Sequence, residues 1–157
     1  MDMNIKLAES LIDAFDNEET AIVLWDNNDN VLYRNKKTSE RWIKFNLDFE
    51  IGQNFFERIK KVEKSKLMTH EELVHRSNNF KLAKSTKKPK EYVVKGPTGR
   101  WVQIKDTPTS EGNMLTLMTN VTQIVEQDLE RKRLASAIDS FPSGIMFWDE
   151  NLSLIHI

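Results

Sequence analysis

Cysteine is absent from this chain of 157 residues. Disulfides, thiolate nucleophiles, iron–sulfur clusters and cysteine-linked cofactors are thereby excluded on composition alone. Glycine is scarce, with five residues at 52, 96, 99, 112 and 144, so no glycine-rich loop is available to cradle phosphates. The three histidines, His70, His75 and His156, stand five and 81 residues apart. That spacing does not place two imidazoles on one helical face, and no metal site is expected. No apolar run approaches the roughly 20 residues that cross a bilayer, and Met1–Ser10 lacks the basic-then-apolar order of an export signal. The chain reads as cytoplasmic, without a membrane span. An excess of charge is missing as well: 23 Lys and Arg against 24 Asp and Glu leave a net charge of −1 and a pI of about 6.3. Nothing in that balance draws nucleic acid or anionic lipid globally. A Gly-x-Ser-x-Gly elbow is also lacking, and Ser143-Gly144 stands at a strand start instead. Asp26 and Asp29 are read as turn formers rather than an acid–base pair. The expectation is a chain with no catalytic residues.

What is present is enough for one domain of ordinary size, since 39% of the residues are apolar and 30% charged. The charge is unevenly spread. Residues 58–95 hold twelve basic and four acidic side chains, a local excess of eight positive charges. The densest part, Lys84 to Lys90, is read as a solvated loop, because no aromatic interleaves its lysines to stack on bases. Nucleic acid is not an expected partner.

The chain repeats itself at an offset of 123 residues. Leu11 and Ala14 meet Leu134 and Ala137, Ile22 meets Ile145, Trp25-Asp26 meets Trp148-Asp149, and Val31-Leu32 meets Leu154-Ile155. The phase does not slip, so the reading is one complete unit followed by the opening of another. An isolated pair of strands is marginal in water, which suggests a second unit cut short at Ile157. The expected domains are an N-terminal helix over 1–18, a main domain over 19–122, a linker helix over 123–140, and the truncated start of a second domain over 141–157.

Within the first unit, Ile5, Leu7, Leu11, Ile12 and Phe15 fall near one helical face. Ala21 to Asp26 reads as a buried strand, Asn27 to Asn30 as a tight polar turn, and Val31 to Arg34 as the returning strand of a hairpin. A helix over Lys36–Phe45 is capped by Asn35, and a second over Asn54–Val62 groups Phe55, Phe56 and Ile59. Thr69–His75 predicts a shorter, weaker helix. Three strand-like runs follow, at Tyr92–Val94, Trp101–Ile104 and Met114–Thr119, separated by Gly96–Gly99 and Thr107–Gly112. Alternation puts Trp101, Gln103 and Lys105 on one face and Val102 and Ile104 on the other. From about Gln123 the pattern turns helical again, with Asn120 to Gln123 suited to a capped start.

Two strands, several short helices, three antiparallel strands and an exit helix leading into another copy form an order that resembles the PAS sensory domain. It is similar to the subclass found in tandem in bacterial sensor kinases and cyclases. Trp25-Asp26 with the hairpin to Asn35, Gly99-Arg100-Trp101-Val102 and Asn120-Val121-Thr122 carry the resemblance, which spans most of 8–124 and again 134–157. It implies an α+β fold, with a five-stranded antiparallel sheet and short helices on one face, flanked by N-terminal and C-terminal linker helices.

The same resemblance implies a cleft for a small molecule. Trp25, Trp42, Phe55, Phe56, Ile59, Leu73, Trp101 and Leu117 are the pocket candidates, although large aromatics at such spacing also serve as plain core. Signal relay would pass through Asn120, Val121 and Thr122. The family commonly has Asp where Asn120 stands, so an ion-paired clasp at the strand-to-helix step is put in question while Val121 and Thr122 keep the pattern. Cysteinyl flavin and thioester chromophores are impossible here. Haem would need His70 or His75, which Glu71, Glu72 and Arg76 mark as exposed, whereas a noncovalent flavin stays compatible with the composition. An unidentified small ligand, or an empty apolar core, is the leading expectation. The implied role is a noncatalytic sensory and relay module of a multidomain bacterial signal-transduction protein, a two-component system for instance, with a histidine kinase or nucleotide cyclase as output. Homodimerisation through the terminal helices is the expected assembly. The alternative is a ligand-free dimerisation scaffold.

Overall fold

The computed structural model describes residues 2–140, together with the strand backbones at 147–148 and 154–155. The remaining positions expected in a second domain, Ser143-Gly144 and His156 among them, lie outside the described residues. The chain divides into two units, Met1–Val121 and Thr122–Ile157.

Helix α1 (Met3–Asp16) begins where the Asp2 carboxylate accepts the Asn4 N–H at 3.2 Å. Its apolar stripe is present, yet Ile5, Leu7, Leu11 and Ile12 are all exposed, and only Phe15 at its end is half-buried against Tyr33. Strands β1 (Ala21–Trp25) and β2 (Val31–Arg34) form the expected hairpin. The Asp26 carboxylate holds its turn by accepting N–H groups of Asn28 and Asn30 at 2.8 and 2.9 Å. A bulge at Leu24/Trp25 sets Trp25 opposite Val31.

Asn35 then starts α2 (Lys36–Trp42), which tightens into a 3-10 turn over Ile43–Phe45. Helix α3 (Phe55–Ser65) is capped by Asn54, and α4 (His70–Thr86) opens on a capping box made by Thr69 and Glu72. At 17 residues α4 is far longer than the expected 69–75, and Lys84 to Thr86 form its last turn rather than a loop. Leu73, Arg76, Phe80 and Ala83 recur at three- and four-residue spacing and are all buried. Arg76 interrupts that stripe in sequence, which conceals its helical period.

Strands β3 (Lys90–Lys95), β4 (Trp101–Pro108) and β5 (Met114–Asn120) complete one antiparallel sheet in the order β2-β1-β5-β4-β3. Strand β4 runs on through Thr107 and Pro108, which the sequence assigns to a turn. The register sets Ala21, Val23 and Trp25 beside Met118, Thr116 and Met114, and Ile104 and Asp106 beside Met118 and Thr116. These residues share one face, and Phe49, Phe55, Phe80 and Ala83 from the helical side pack over it. The architecture is the α+β arrangement expected, a five-stranded antiparallel sheet with helices over one face. In the second unit, α5 (Thr122–Asp139) is followed by β6 (Phe147–Trp148) paired antiparallel with β7 (Leu154–Ile155).

Asn35 does more than cap α2. Its amide is wholly buried, accepts the Ile22 and Thr38 N–H groups at 2.9 and 3.1 Å, and donates to the Phe15 and Thr20 carbonyls at 2.8 Å each. It thereby ties the end of α1, the start of β1 and the α2 N-terminus together. Asn35→Ala should cost about 2–4 kcal/mol by leaving these groups unpaired, and Asn35→Asp should also destabilise by losing both amide donors. Urea denaturation of the three proteins checks this, and a loss below about 1 kcal/mol for Asn35→Ala would contradict the assignment.

Candidate functional site

Between the sheet and the helices lies a cavity of about 160 Å³. Trp25, Val102, Ile104 and Met118 form its sheet side, while Trp42, Phe55, Ile59, Val62 and Leu73 close it from the helices. Of the expected pocket residues, Trp25, Trp42, Phe55, Ile59 and Leu73 lie in its wall, whereas Phe56, Trp101 and Leu117 do not. Phe56 packs at the edge of the core. Trp101 and Leu117 alternate to the other face of the sheet, because Val102 pairs with Asn120 and Ile104 with Met118. Trp101 sits there beneath the Lys95 ammonium, 5.8 Å from its ring.

The wall is not purely apolar. Arg76 Nη1 donates to Asp106 Oδ2 at 2.5 Å and to the Tyr92 hydroxyl at 2.6 Å. Thr116 donates to Asp106 Oδ1 at 2.7 Å and accepts the Trp25 indole N–H at 3.0 Å. Four strands and α4 meet in this chain of bonds, which uses both carboxylate oxygens. Burial opposes the charge on Arg76, but Asp106 and Tyr92 outweigh it and hold its pKa above the ordinary value. Burial also raises the pKa of Tyr92, with Asp106 adding and Arg76 opposing.

Arg58 is placed differently. Its guanidinium stacks over Phe49 and Trp42, 3.5 and 4.7 Å from their ring centroids, and Nη1 donates to the Leu47 carbonyl at 2.6 Å. Nη2 is buried without a partner. Burial pulls its pKa down to about 9, Arg76 contributing and Asp48 opposing, so the group stays charged at neutral pH.

Sequence reasoning missed Arg58, Arg76, Asp106 and Thr116. The sequence places Arg76 among exposed neighbours of the histidines, yet it is 8% exposed. The usable signals were its position between Leu73 and Phe80 and the alternation that places Asp106 in line with Val102 and Ile104. His70 and His75 are exposed and neither lines the cavity; His70 Nδ1 lies 2.5 Å from Glu63 Oε1, and His75 packs edgewise on Tyr92. At the exit step Asn120 lines the cavity, the Val121 N–H donates to the Trp101 carbonyl at 2.9 Å, and Thr122 opens α5. Among the described residues, no group of three His, Asp or Glu side chains could hold a metal ion, and no helix is long and apolar enough to cross a membrane.

No protein-family model matches the chain, and no curated protein matches it. Solved structures do. An RNA-binding light-oxygen-voltage receptor shares 17% identity at a TM-score of 0.58, over 87% of this chain and 39% of that one. The phage VqmA–DPO complex shares 15% at 0.52, over 84% and 60%. The PAS domain of BvgS from Bordetella pertussis shares 12% at 0.49, over 87% and 98%. The chain thus spans less than two thirds of the first two proteins. At these identities the likeness is one of fold alone, a five-stranded antiparallel sheet with helices over one face, and the first two structures carry it.

The buried pair makes two predictions. Asp106→Leu or Arg76→Met alone should cost about 3–5 kcal/mol, because each strands the opposite charge in the core. The double variant should lose less than the two singles combined, and a double-mutant cycle in urea reads the coupling; strict additivity would contradict a direct pair. The second concerns the two tyrosines, Tyr33 and Tyr92. Tyr33 is raised to about 12 by burial and by Asp16, to which its hydroxyl donates, and Tyr92 is raised too. Near-ultraviolet titration of the folded protein should show no tyrosinate at about pH 10, where both ionise once unfolded. Since the folded values lie above the unfolded ones, the stability they contribute is complete below about pH 10 and fades as pH rises through the folded values. Tyr92→Phe should therefore flatten the alkaline fall in stability.

Proposed function

We propose that this chain is a sensory and signal-relay module, noncatalytic in itself, from a larger cytoplasmic bacterial signal-transduction protein. The observation that carries the reading is the cavity between sheet and helices, lined by Trp25, Trp42 and Phe55, continued along β5 to Asn120 and opening beside the Gly96–Arg100 loop. Its volume, about 160 Å³, is close to that of an engineered apolar cavity that takes up benzene. A small organic ligand, one ring in size, is the expected occupant. The PAS-like fold supports the sensory reading, and the VqmA structure, solved with DPO, is a similar fold in complex with a named molecule. Asn120, Val121 and Thr122 are the proposed relay, since they carry the chain from the cavity-lining strand into α5. A histidine kinase or nucleotide cyclase is the proposed output.

The tandem arrangement belongs to this proposal. Trp148 pairs with Leu154 as Trp25 pairs with Val31, both residues displaced by the same 123 positions. The neighbouring pair differs, Phe147 with Ile155 against Leu24 with Tyr33, so the proposed second PAS-like unit rests on the sequence repeat and this one shared pair.

A second reading, a ligand-free dimerisation scaffold, draws on α1, whose Ile5, Leu7, Leu11 and Ile12 are exposed along one side. Homodimerisation through the terminal helices is compatible with either reading. Native mass spectrometry of gently purified protein, followed by a thermal-shift screen of single-ring metabolites, separates the two. A co-purifying small molecule, or a raised melting temperature that Ile59→Trp abolishes by filling the cavity, is the expected result. An empty protein that no compound stabilises, with a tight dimer in sedimentation, would establish the scaffold instead.

A further inference from the structure

We infer that the cavity selects a small aromatic carboxylate, and that Arg58 is the group that receives its anionic end. The inference rests on the proposal that the cavity is a ligand site and adds the ligand's chemical class.

Charge points to an anion. Arg41, Lys44, Arg58, Arg76 and Arg100 all reach the cavity wall, and no Asp or Glu does. The one buried carboxylate nearby, Asp106, lies behind the wall and is committed to Arg76 and Thr116. Arg76 is therefore neutralised within the protein. Arg58 is not: its residue is 4% exposed, it makes no ion pair within 4 Å, and Nη2 has no hydrogen-bond partner. A buried guanidinium with two unused N–H bonds is costly unless something accepts them. Gln53 Oε1 is the other buried side-chain atom lacking a partner among the described residues, and Gln53 does not line the cavity.

Shape and surroundings narrow the class. The volume of about 160 Å³ suits a single ring. Trp42, Phe49 and Phe55 supply ring edges and faces for it, with Trp42 and Phe49 also fixing the plane of the Arg58 guanidinium. With Nη1 engaged by the Leu47 carbonyl, Nη2 is the end left for a ligand, and an acceptor there lies best in the guanidinium plane, which favours a planar carboxylate over a spherical anion.

The test uses the 157-residue chain with three probes of one shape, benzoate, benzamide and toluene, measured by calorimetry and by tryptophan fluorescence. Benzoate should bind about tenfold or more tighter than benzamide, the effect expected of one charge-assisted bond in a buried site. Arg58→Lys should keep part of that preference and Arg58→Met should remove it, each variant's fold being checked by circular dichroism. Should Arg58→Met not fold, the wild-type ranking and the Arg58→Lys result still decide. Equal or tighter binding of benzamide or toluene would overturn the carboxylate assignment while leaving a ligand cavity in place. Failure of all three probes at millimolar concentration would overturn both the assignment and the ligand-site proposal beneath it.

Discussion

Removing a guanidinium and a carboxylate from water costs several kcal/mol per ion, and the Arg76–Asp106 pair survives in the core because both carboxylate oxygens are used and Arg76 is shared with the Tyr92 hydroxyl. Asp106 accepts on both oxygens, from Arg76 on one side and Thr116 on the other, and Thr116 in turn receives the Trp25 indole. Apolar packing alone would let α4 slide or rotate over the sheet at small cost, since one methyl contact replaces another. The two bonds from Arg76 Nη1, to Asp106 and to the Tyr92 hydroxyl, fix where α4 crosses β4 and β3, and with it the height of the roof over the cavity. The aromatic shell is built onto that fixed point: Phe55 and Phe80 stack at 3.9 Å, and both meet Trp25 edge-on.

The two buried arginines show how one residue type does opposite things. Arg76 is answered inside the protein and braces it. Arg58 is held by rings and backbone carbonyls that leave one nitrogen without a bond, and its lowered pKa records the cost of keeping that charge where it is. A side chain kept in such a place for stability alone would be better replaced by methionine or leucine, which fill a similar volume without desolvating a charge.

Much of the architecture was legible in the sequence because it rests on short-range causes. Asn27 to Asn30 can only be a tight turn, Asn35 and Asn54 cap helices, and alternation around Ile104 separates the wet face of the sheet from the dry one. The site was legible in its apolar half and hidden in its polar half. Trp25, Trp42 and Phe55 announce themselves as core-forming aromatics, but Arg58, Arg76 and Asp106 look like solvated charges, because the partners that license their burial lie up to 30 residues away. The same blindness shortened α4, whose buried stripe passes through Arg76. It also misplaced Trp101 and Leu117, where the aromatic or aliphatic character of a residue was weighed above the parity of its position in the strand. For α1 the error ran the other way, since an apolar stripe marks a face that prefers burial without saying that this chain supplies the cover.

Strand β5 is where these threads join. It pairs with β1 on one side and β4 on the other, contributes Thr116 to the buried polar chain, and lines the cavity with Met118 and Asn120. Two residues further on, the chain enters α5. Under the reading proposed above, Thr116 held by Asp106 would leave a change in what fills the cavity little freedom to move the first half of β5, and the displacement would fall on the half after Thr116, toward Val121 and Thr122. Under the proposed reading, a difference of about 1–3 kcal/mol between occupied and empty states at that end is enough to shift an output severalfold. The clamp and the relay are then two ends of one strand, and the rigidity of the first gives direction to the second.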